Sequence, residues 1–472
     1  MTGAHAGAGA WPDRRAGRRQ GPRRRPPRTG LLSGWRRHQD LLSNASSLAA
    51  TTGVASVLGF AFWALAAHLF SQQAVGYGSA AVSAMTLLGT VGMLGLGTVL
   101  IGELPRRRAR AGLVSAALIT CGTGSLLLGI GFAVAAPQFS TRFADVSGTL
   151  GHLALFVAGV SLTGVTLVFD QAAIGLLRGG LQLSRNSVFA AVKLLALPAA
   201  AVILHDEFGT GITASWVAGT LLSLAAVAVR LRQTGSPVLA RPDWAVLRGL
   251  GRTALAHNWL NLAITVPRAL IPVLVTVIIS PAANAAFYAA WMLSGFLYLV
   301  PTHLSTVLFA LAAADPKVIA RKLRVSLRLS ALIGLAGMAV LGVGAHLALS
   351  LFGPSYAQAA TVTLWLLVIG YVPTVFKVHY IAVCRASGRI PRAAAVLTLA
   401  AVAEVAAASA GAASHGLDGL AIALLAVFAA EGLVTAPPVI RTAIGHGDHR
   451  RRVAAPKALF GETAGKTCNP LL

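Results

Sequence analysis

Residues 164–186 read GVTLVFDQAAIGLLRGGLQLSRN, and residues 375–392 read VFKVHYIAVCRASGRIPR. The first stretch holds Val168-Phe169-Asp170 with Arg178 eight positions on. The second holds Val375-Phe376-Lys377 with Arg385 eight positions on, so the charges and the arginines are each 207 residues apart. The two halves of the chain are therefore expected to be copies of one unit. Each copy sets one charge inside an apolar run, about 12 Å of helix from a basic loop at roughly 1.5 Å of rise per residue. The two charges have opposite sign. At mid-helix in hydrocarbon a charge costs about 2.5–3.5 kcal/mol by insertion scales, so it points to a cavity or a partner rather than to lipid.

The rest of the sequence supports a membrane setting. Of its 472 residues 56% are hydrophobic and only 11% charged, against roughly 25% charged in soluble domains. Apolar runs of about 18 residues or more, each enough to cross the hydrocarbon layer as a helix, recur along nearly the whole length. The net charge of +25 is spread over short loops and two tails rather than gathered on a folded face, which argues against a nucleic-acid partner. Cys121, Cys384 and Cys468 have no mutual spacing that suggests a metal site or a disulfide framework, and no cofactor is expected. Walker A, HExxH and GxSxG patterns are missing from the sequence. The connections between spans are too short for a catalytic domain, so no enzymatic activity is expected.

Twelve spans are predicted, at about 47–70, 76–101, 113–136, 152–176, 188–205, 211–229, 254–279, 284–311, 328–352, 359–383, 393–413 and 419–440. Loops after even-numbered spans carry nineteen Lys and Arg, and loops after odd-numbered spans carry one, Arg142. By the positive-inside rule this alternation places both termini in the cytoplasm of a multi-pass plasma-membrane protein. The expected organisation is an Arg- and Pro-rich disordered tail over 1–40, a six-helix bundle over 41–230, a cytoplasmic linker over 231–253, a second six-helix bundle over 254–441 and a tail over 442–472. The ten arginines of the first tail suit anionic membrane lipids. Because six is even, the repeats are parallel, related by an axis along the membrane normal, and such halves rock about a site between them. Phe70-Ser71-Gln72-Gln73-Ala74-Val75-Gly76-Tyr77 enters span two much as Ile279-Ser280-Pro281-Ala282-Ala283-Asn284-Ala285-Ala286-Phe287-Tyr288 enters span eight.

The opening pattern of Asn44, Gly53, Gly59 and Ala66-Ala67-His68-Leu69, then Gly76-Tyr77, Gly95-Leu96-Gly97 and Leu104-Pro105-Arg106, resembles polysaccharide biosynthesis membrane proteins. These form the oligosaccharide flippase branch of the multidrug/oligosaccharidyl-lipid/polysaccharide exporter (MOP) superfamily. Pro272-Val273-Leu274-Val275 through Tyr288 is similar to actinobacterial members, and the likeness covers residues 41 to about 441. The resemblance implies an all-α, MATE-like fold of two pseudo-symmetric bundles. It also implies a transporter that flips a lipid-linked oligosaccharide or related glycolipid across the cytoplasmic membrane for cell-envelope polysaccharide assembly. A coupling ion (proton or sodium) and polysaccharide assembly enzymes are the partners it suggests. A cation-coupled drug exporter of the same superfamily, or a non-transporting subunit of a synthesis complex, is the alternative.

Six charges fall inside predicted spans: Asp170, Lys193, Arg268, Lys377, Glu404 and Glu431. Arg268 lies between Pro267 and Pro272, where interrupted helix exposes backbone and an arginine fork suits the oxygens of a sugar diphosphate. Arg268, Lys193 and Lys377 are the candidate substrate-binding cations, and the other reading of Arg268 is a pair with Glu404 or Glu431. Asp170 and Lys377 are a candidate gate pair, with Asp170–Lys193 as the local alternative. Glu404 and Glu431 are candidates for ion coupling. The scattered histidines form no ligand cluster, and the tryptophans are expected in interfacial belts or in the bundles.

Overall fold

The computed structural model describes residues 56–107, 110–140, 148–204, 208–235, 239–314 and 319–445. The first tail, with the lipid contacts expected of its arginines, and residues 446–472 of the second lie outside the described residues. The described chain is helical, and its order follows the twelve expected spans. Helix α1 covers Ser56–Leu69. Span two is broken into α2 (Gln72–Gly92) and α3 (Leu96–Glu103). Then follow α4 (Ala111–Phe139), α5 (Leu150–Gly175), α6 (Gly179–Ile203) and α7 (Thr210–Gln233). In the second half come α8 (Trp244–Ile278), α9 (Pro281–Ala314), α10 (Ile319–Ser350), α11 (Pro354–Ile369), α12 (Tyr371–Ala386) and α13 (Ile390–Ile444). The 55 residues of α13 are two arms that turn at His415 and Gly416, where Gly416 takes φ 61°, and they supply spans eleven and twelve. Large apolar side chains face outward along these helices, with Val343 92% and Leu150 82% exposed, as a lipid-facing surface requires.

Each interruption has a local cause. Between α2 and α3, Leu94 (φ 50°) and Gly95 (φ 73°) take left-handed backbone. A Cβ on Gly95 would lie 2.0 Å from the Ala254 carbonyl oxygen, so glycine permits both the turn and the approach of α8. Between α11 and α12 the axis bends by 45° at Gly370. Pro373, in the first turn of α12, has no N–H to give the carbonyl one turn back.

The halves are joined at the arginine-poor end. Asn284 on α9, fully buried, donates from Nδ2 to the Gly76 carbonyl and to Ser79 Oγ on α2, both at 2.9 Å. Gln72 Nε2 donates to the Ala282 carbonyl at 3.1 Å. The two helices that meet here are the matching pair of the repeat, and Ser71 and Ser280 cap them in the same way, each accepting from the backbone N–H three residues on. Around this joint one apolar core takes side chains from both halves, among them Phe62, Ile212, Phe287, Leu364 and Leu424. At the arginine-rich end lie two further cores, the first of them again shared between the halves through α8. Leu100, Leu113 and Val168 pack with Leu247 and Ala254 from the start of α8, whereas Leu308, Leu323, Val383 and Val439 form a core from the second half alone.

The closeness of α2 and α9 generates a prediction. A Cβ at Gly76 would sit 1.7 Å from the Pro281 carbonyl oxygen, while one at Gly131 meets nothing within 4 Å. Gly76→Ala should therefore destabilise the purified protein by at least about 1–3 kcal/mol, the range for overpacking, and Gly131→Ala should leave Tm nearly unchanged. Thermal unfolding in detergent compares the two.

Candidate functional site in the second half

The buried charges come together in the second half. Lys377 on α12 donates from Nζ to Glu404 Oε1 on the first arm of α13, and its Nζ lies 2.9 Å from Glu431 Oε2 on the second arm. One ammonium therefore ties α12 to both arms of α13. Side-chain exposure is 19% for Lys377, 6% for Glu404 and 9% for Glu431. Glu431 Oε1 is buried and has no hydrogen-bond partner. Two carboxyl groups share one ammonium, and groups at these exposures persist in the interior because they find a counter-charge there.

A cavity of about 400 Å³ opens beside this cluster, within the usual range for ligand sites. It is lined by Arg268 from α8, Tyr288, Tyr298 and Thr302 from α9, Lys377 from α12 and Glu404 from α13. Arg268 is exposed to the cavity and takes part in none of the ion pairs found among the described residues. Its expected alternative, a pair with Glu404 or Glu431, is not formed in this structure, where both carboxylates pair with Lys377. The prolines on either side of Arg268 remove two backbone donors from α8. Those donors would have served the carbonyls of Ala263 and Arg268 itself, and Thr276 Oγ1 donates to the Pro272 carbonyl at 3.1 Å. Tyr298 closes one wall by donating to the Leu367 carbonyl, which ties α9 to α11.

The expected gate pair is not formed in this structure. Asp170 on α5 accepts two hydrogen bonds from Arg185 on α6, Nε to Oδ1 at 2.7 Å and Nη2 to Oδ2 at 2.6 Å. Asn186 Oδ1 accepts a third from Arg185 at 2.7 Å. The fork is two-pronged and nearly buried, with Arg185 7% and Asp170 16% exposed. Nor do Asp170 and Lys377 hold equivalent places. The turn after α5 has Arg178 N–H bonded to the Ala173 carbonyl beside Leu177 at φ 57°; the turn after α12 has Arg389 N–H bonded to the Cys384 carbonyl beside Gly388 at φ 68°. That ladder matches Arg178 to Arg389, 211 residues apart rather than 207. The difference is one helical turn, so it preserves the apolar face and leaves sequence texture unable to detect it. Its source is span ten, which is split into two 16-residue helices where span four is one helix of 26.

Under the corrected register the counterpart of Glu404 is Lys193 on α6. The structure places Lys193 away from the cavity described above. It is 3% exposed, with its ammonium 4.7 Å from the Phe62 ring centroid, 4.6 Å from Phe189 and 4.1 Å from Trp216. The ring faces supply the negative potential that a carboxylate would supply elsewhere. No carboxylate pairs with it among the described residues, so the local Asp170–Lys193 alternative is not formed either. This aromatic group reaches the second half through Trp63, whose ring lies 4.8 Å from that of Tyr288 in the cavity wall. Arg185 and the ring cage were missed in the sequence. Arg185 is assigned there to a loop, and aromatic residues spread over α1, α6 and α7 show no common spacing.

No family model matches the sequence, and no curated protein matches it. Solved structures do match. An inward-facing multidrug resistance MATE family transporter of the MOP superfamily is similar at a TM-score of 0.65 and 15% identity, over 84% of this chain and 96% of that one. An outward-facing MATE family transporter is similar at 0.56 and 15%, over 86% and 96%. A MOP superfamily transporter from Pyrococcus furiosus, described as having a binding pocket of reverse polarity that suggests a different function, is similar at 0.55 and 13%, over 85% and 96%. The chain, nearly all helical over its described residues, is a multi-pass membrane protein with the fold of the MATE transporters of the MOP superfamily.

Proposed function

We propose that the protein is an alternating-access transporter for a substrate with an anionic head, and that this substrate is a lipid-linked oligosaccharide or related glycolipid flipped for cell-envelope polysaccharide assembly. The observation that carries the reading is Arg268, a cavity-facing guanidinium that no carboxylate neutralises among the described residues. A fork of this kind suits a phosphate or diphosphate. A cavity built for a cationic drug would present unpaired carboxylates, and here Lys377 occupies Glu404 and Glu431. In this proposal both termini lie in the cytoplasm, as the alternation of basic loops expects. In this proposal Glu404 and Glu431 are the ion-coupling residues. Lys377 is both their partner and a second contact for the head, and Lys193 braces the aromatic group behind Tyr288. Asp170 closes a fixed brace with Arg185 rather than a gate with Lys377.

Two measurements test these assignments. In proteoliposomes with a fluorescent lipid-pyrophosphate sugar, Arg268→Ala should lose roughly 10- to 100-fold in transport, corresponding to about 1.5–3 kcal/mol for hydrogen bonds to a charged group. Arg268→Lys should recover part of it. Undiminished transport by Arg268→Ala overturns the site, and wild-type transport of cationic dyes but of no lipid-linked sugar favours the drug-exporter reading. Separately, Asp170→Ala should destabilise the protein by about 3–5 kcal/mol by stranding a buried guanidinium. The swap Asp170→Arg with Arg185→Asp should restore stability in part, and Asp170→Lys with Lys377→Asp should not.

A further inference from the structure

The cluster around Lys377 has the composition of a cation site already filled. Two carboxylates on separate arms of α13 converge on one point, both nine-tenths or more buried, and what stands between them is the tip of a flexible side chain anchored on α12. Glu431 keeps one buried oxygen, Oε1, to which no donor hydrogen-bonds among the described residues. The ammonium therefore does not exhaust the acceptor capacity of the pair. Its own side chain is the least buried of the three and lines the cavity that also holds Arg268. Lys377 thus stands where it can be drawn either to the carboxylates or to a ligand in the cavity. Withdrawal would leave two nearly buried carboxylates side by side without their counter-charge, an arrangement that favours the entry of another cation.

We propose that the Glu404–Glu431 pair is a monovalent-cation site whose cation is built into the chain as the Lys377 ammonium, so that a free sodium or lithium ion binds only when that ammonium is withdrawn. The proposal rests on reading Glu404 and Glu431 as the ion-coupling pair and is independent of what is transported. Its consequence is a linkage of fixed sign. An anion that recruits Lys377 into the cavity opens the site to a free cation, and by reciprocity a bound free cation favours the anion. The coupling ion then has no vacant place while the cavity is empty.

The test is thermal unfolding of the purified full chain in NaCl, LiCl or choline chloride at equal ionic strength, with no substrate present. Wild type should unfold at one Tm in all three salts. Lys377→Met should gain a rise in Tm that saturates with sodium or lithium concentration and is missing in choline, as binding to the native state requires. Adding Glu431→Gln to that variant should abolish the rise. Should Lys377→Met fail to fold, Lys377→Met with Glu404→Gln leaves one carboxylate and less uncompensated charge, and a weaker sodium-specific rise is expected. A folded Lys377→Met, or that double variant, unfolding at the same Tm in all three salts overturns the proposal. So does a sodium response in wild type that Glu431→Gln removes. Neither outcome depends on transport, so loss of the glycolipid reading would leave this result standing, and the reverse holds too.

Discussion

A charge that enters the hydrocarbon layer must find its counter-charge inside the protein, and this constraint arranges the interior of the molecule. Lys377 meets it by drawing together α12 and both arms of α13. Asp170 and Arg185 meet it by pinning α5 to α6. Lys193, without a carboxylate partner among the described residues, meets it with the faces of three rings. Arg268 alone among the six charges expected inside the spans makes neither an ion pair nor a ring cage among the described residues. It is also the one that looks into open volume. The functional reading follows from that asymmetry, because an uncompensated cation is retained only where water or an anionic ligand can reach it.

The two halves share a fold and differ in electrostatics. Span five carries Lys193 where span eleven carries Glu404, so the repeat preserves the position of a buried charge and inverts its sign. Around Lys193 the side chains are aromatic; around Glu404 they are a second carboxylate and a lysine. A cavity therefore forms on one side of the repeat and a packed aromatic group on the other, with Trp63 and Tyr288 in contact where they meet. The mechanical joint lies elsewhere, at Gly76, Pro281 and Asn284, where the matching helices α2 and α9 approach too closely for any side chain at position 76. A second contact between the halves is made by α8, whose Ala254 lies against Gly95 and whose Leu247 joins the core of Leu100, Leu113 and Val168.

Much of this was legible before any coordinates. Composition, the lengths of the apolar runs and the alternation of nineteen basic residues against one determined a twelve-span chain and its repeat. These follow from the thickness of the hydrocarbon layer and from helical rise, which act on every segment alike. Six of the intramembrane charges stand out for the same reason, each being costly in an apolar run, whereas Arg185, at the start of α6, reads as part of a basic loop. What the sequence could not carry was who pairs with whom. Pairing depends on register, and the apparent 207-residue repeat is one turn short of the 211 that the turns after α5 and α12 obey, because Gly370 and Pro373 break span ten. A shift of one turn leaves every apolar face in place while moving a charge about 5 Å along the axis. Tertiary structure alone decided that Asp170 belongs to Arg185, that Lys377 belongs to Glu404 and Glu431, and that Arg268 is left facing the cavity, since the distances that set those pairs are between helices and not along them.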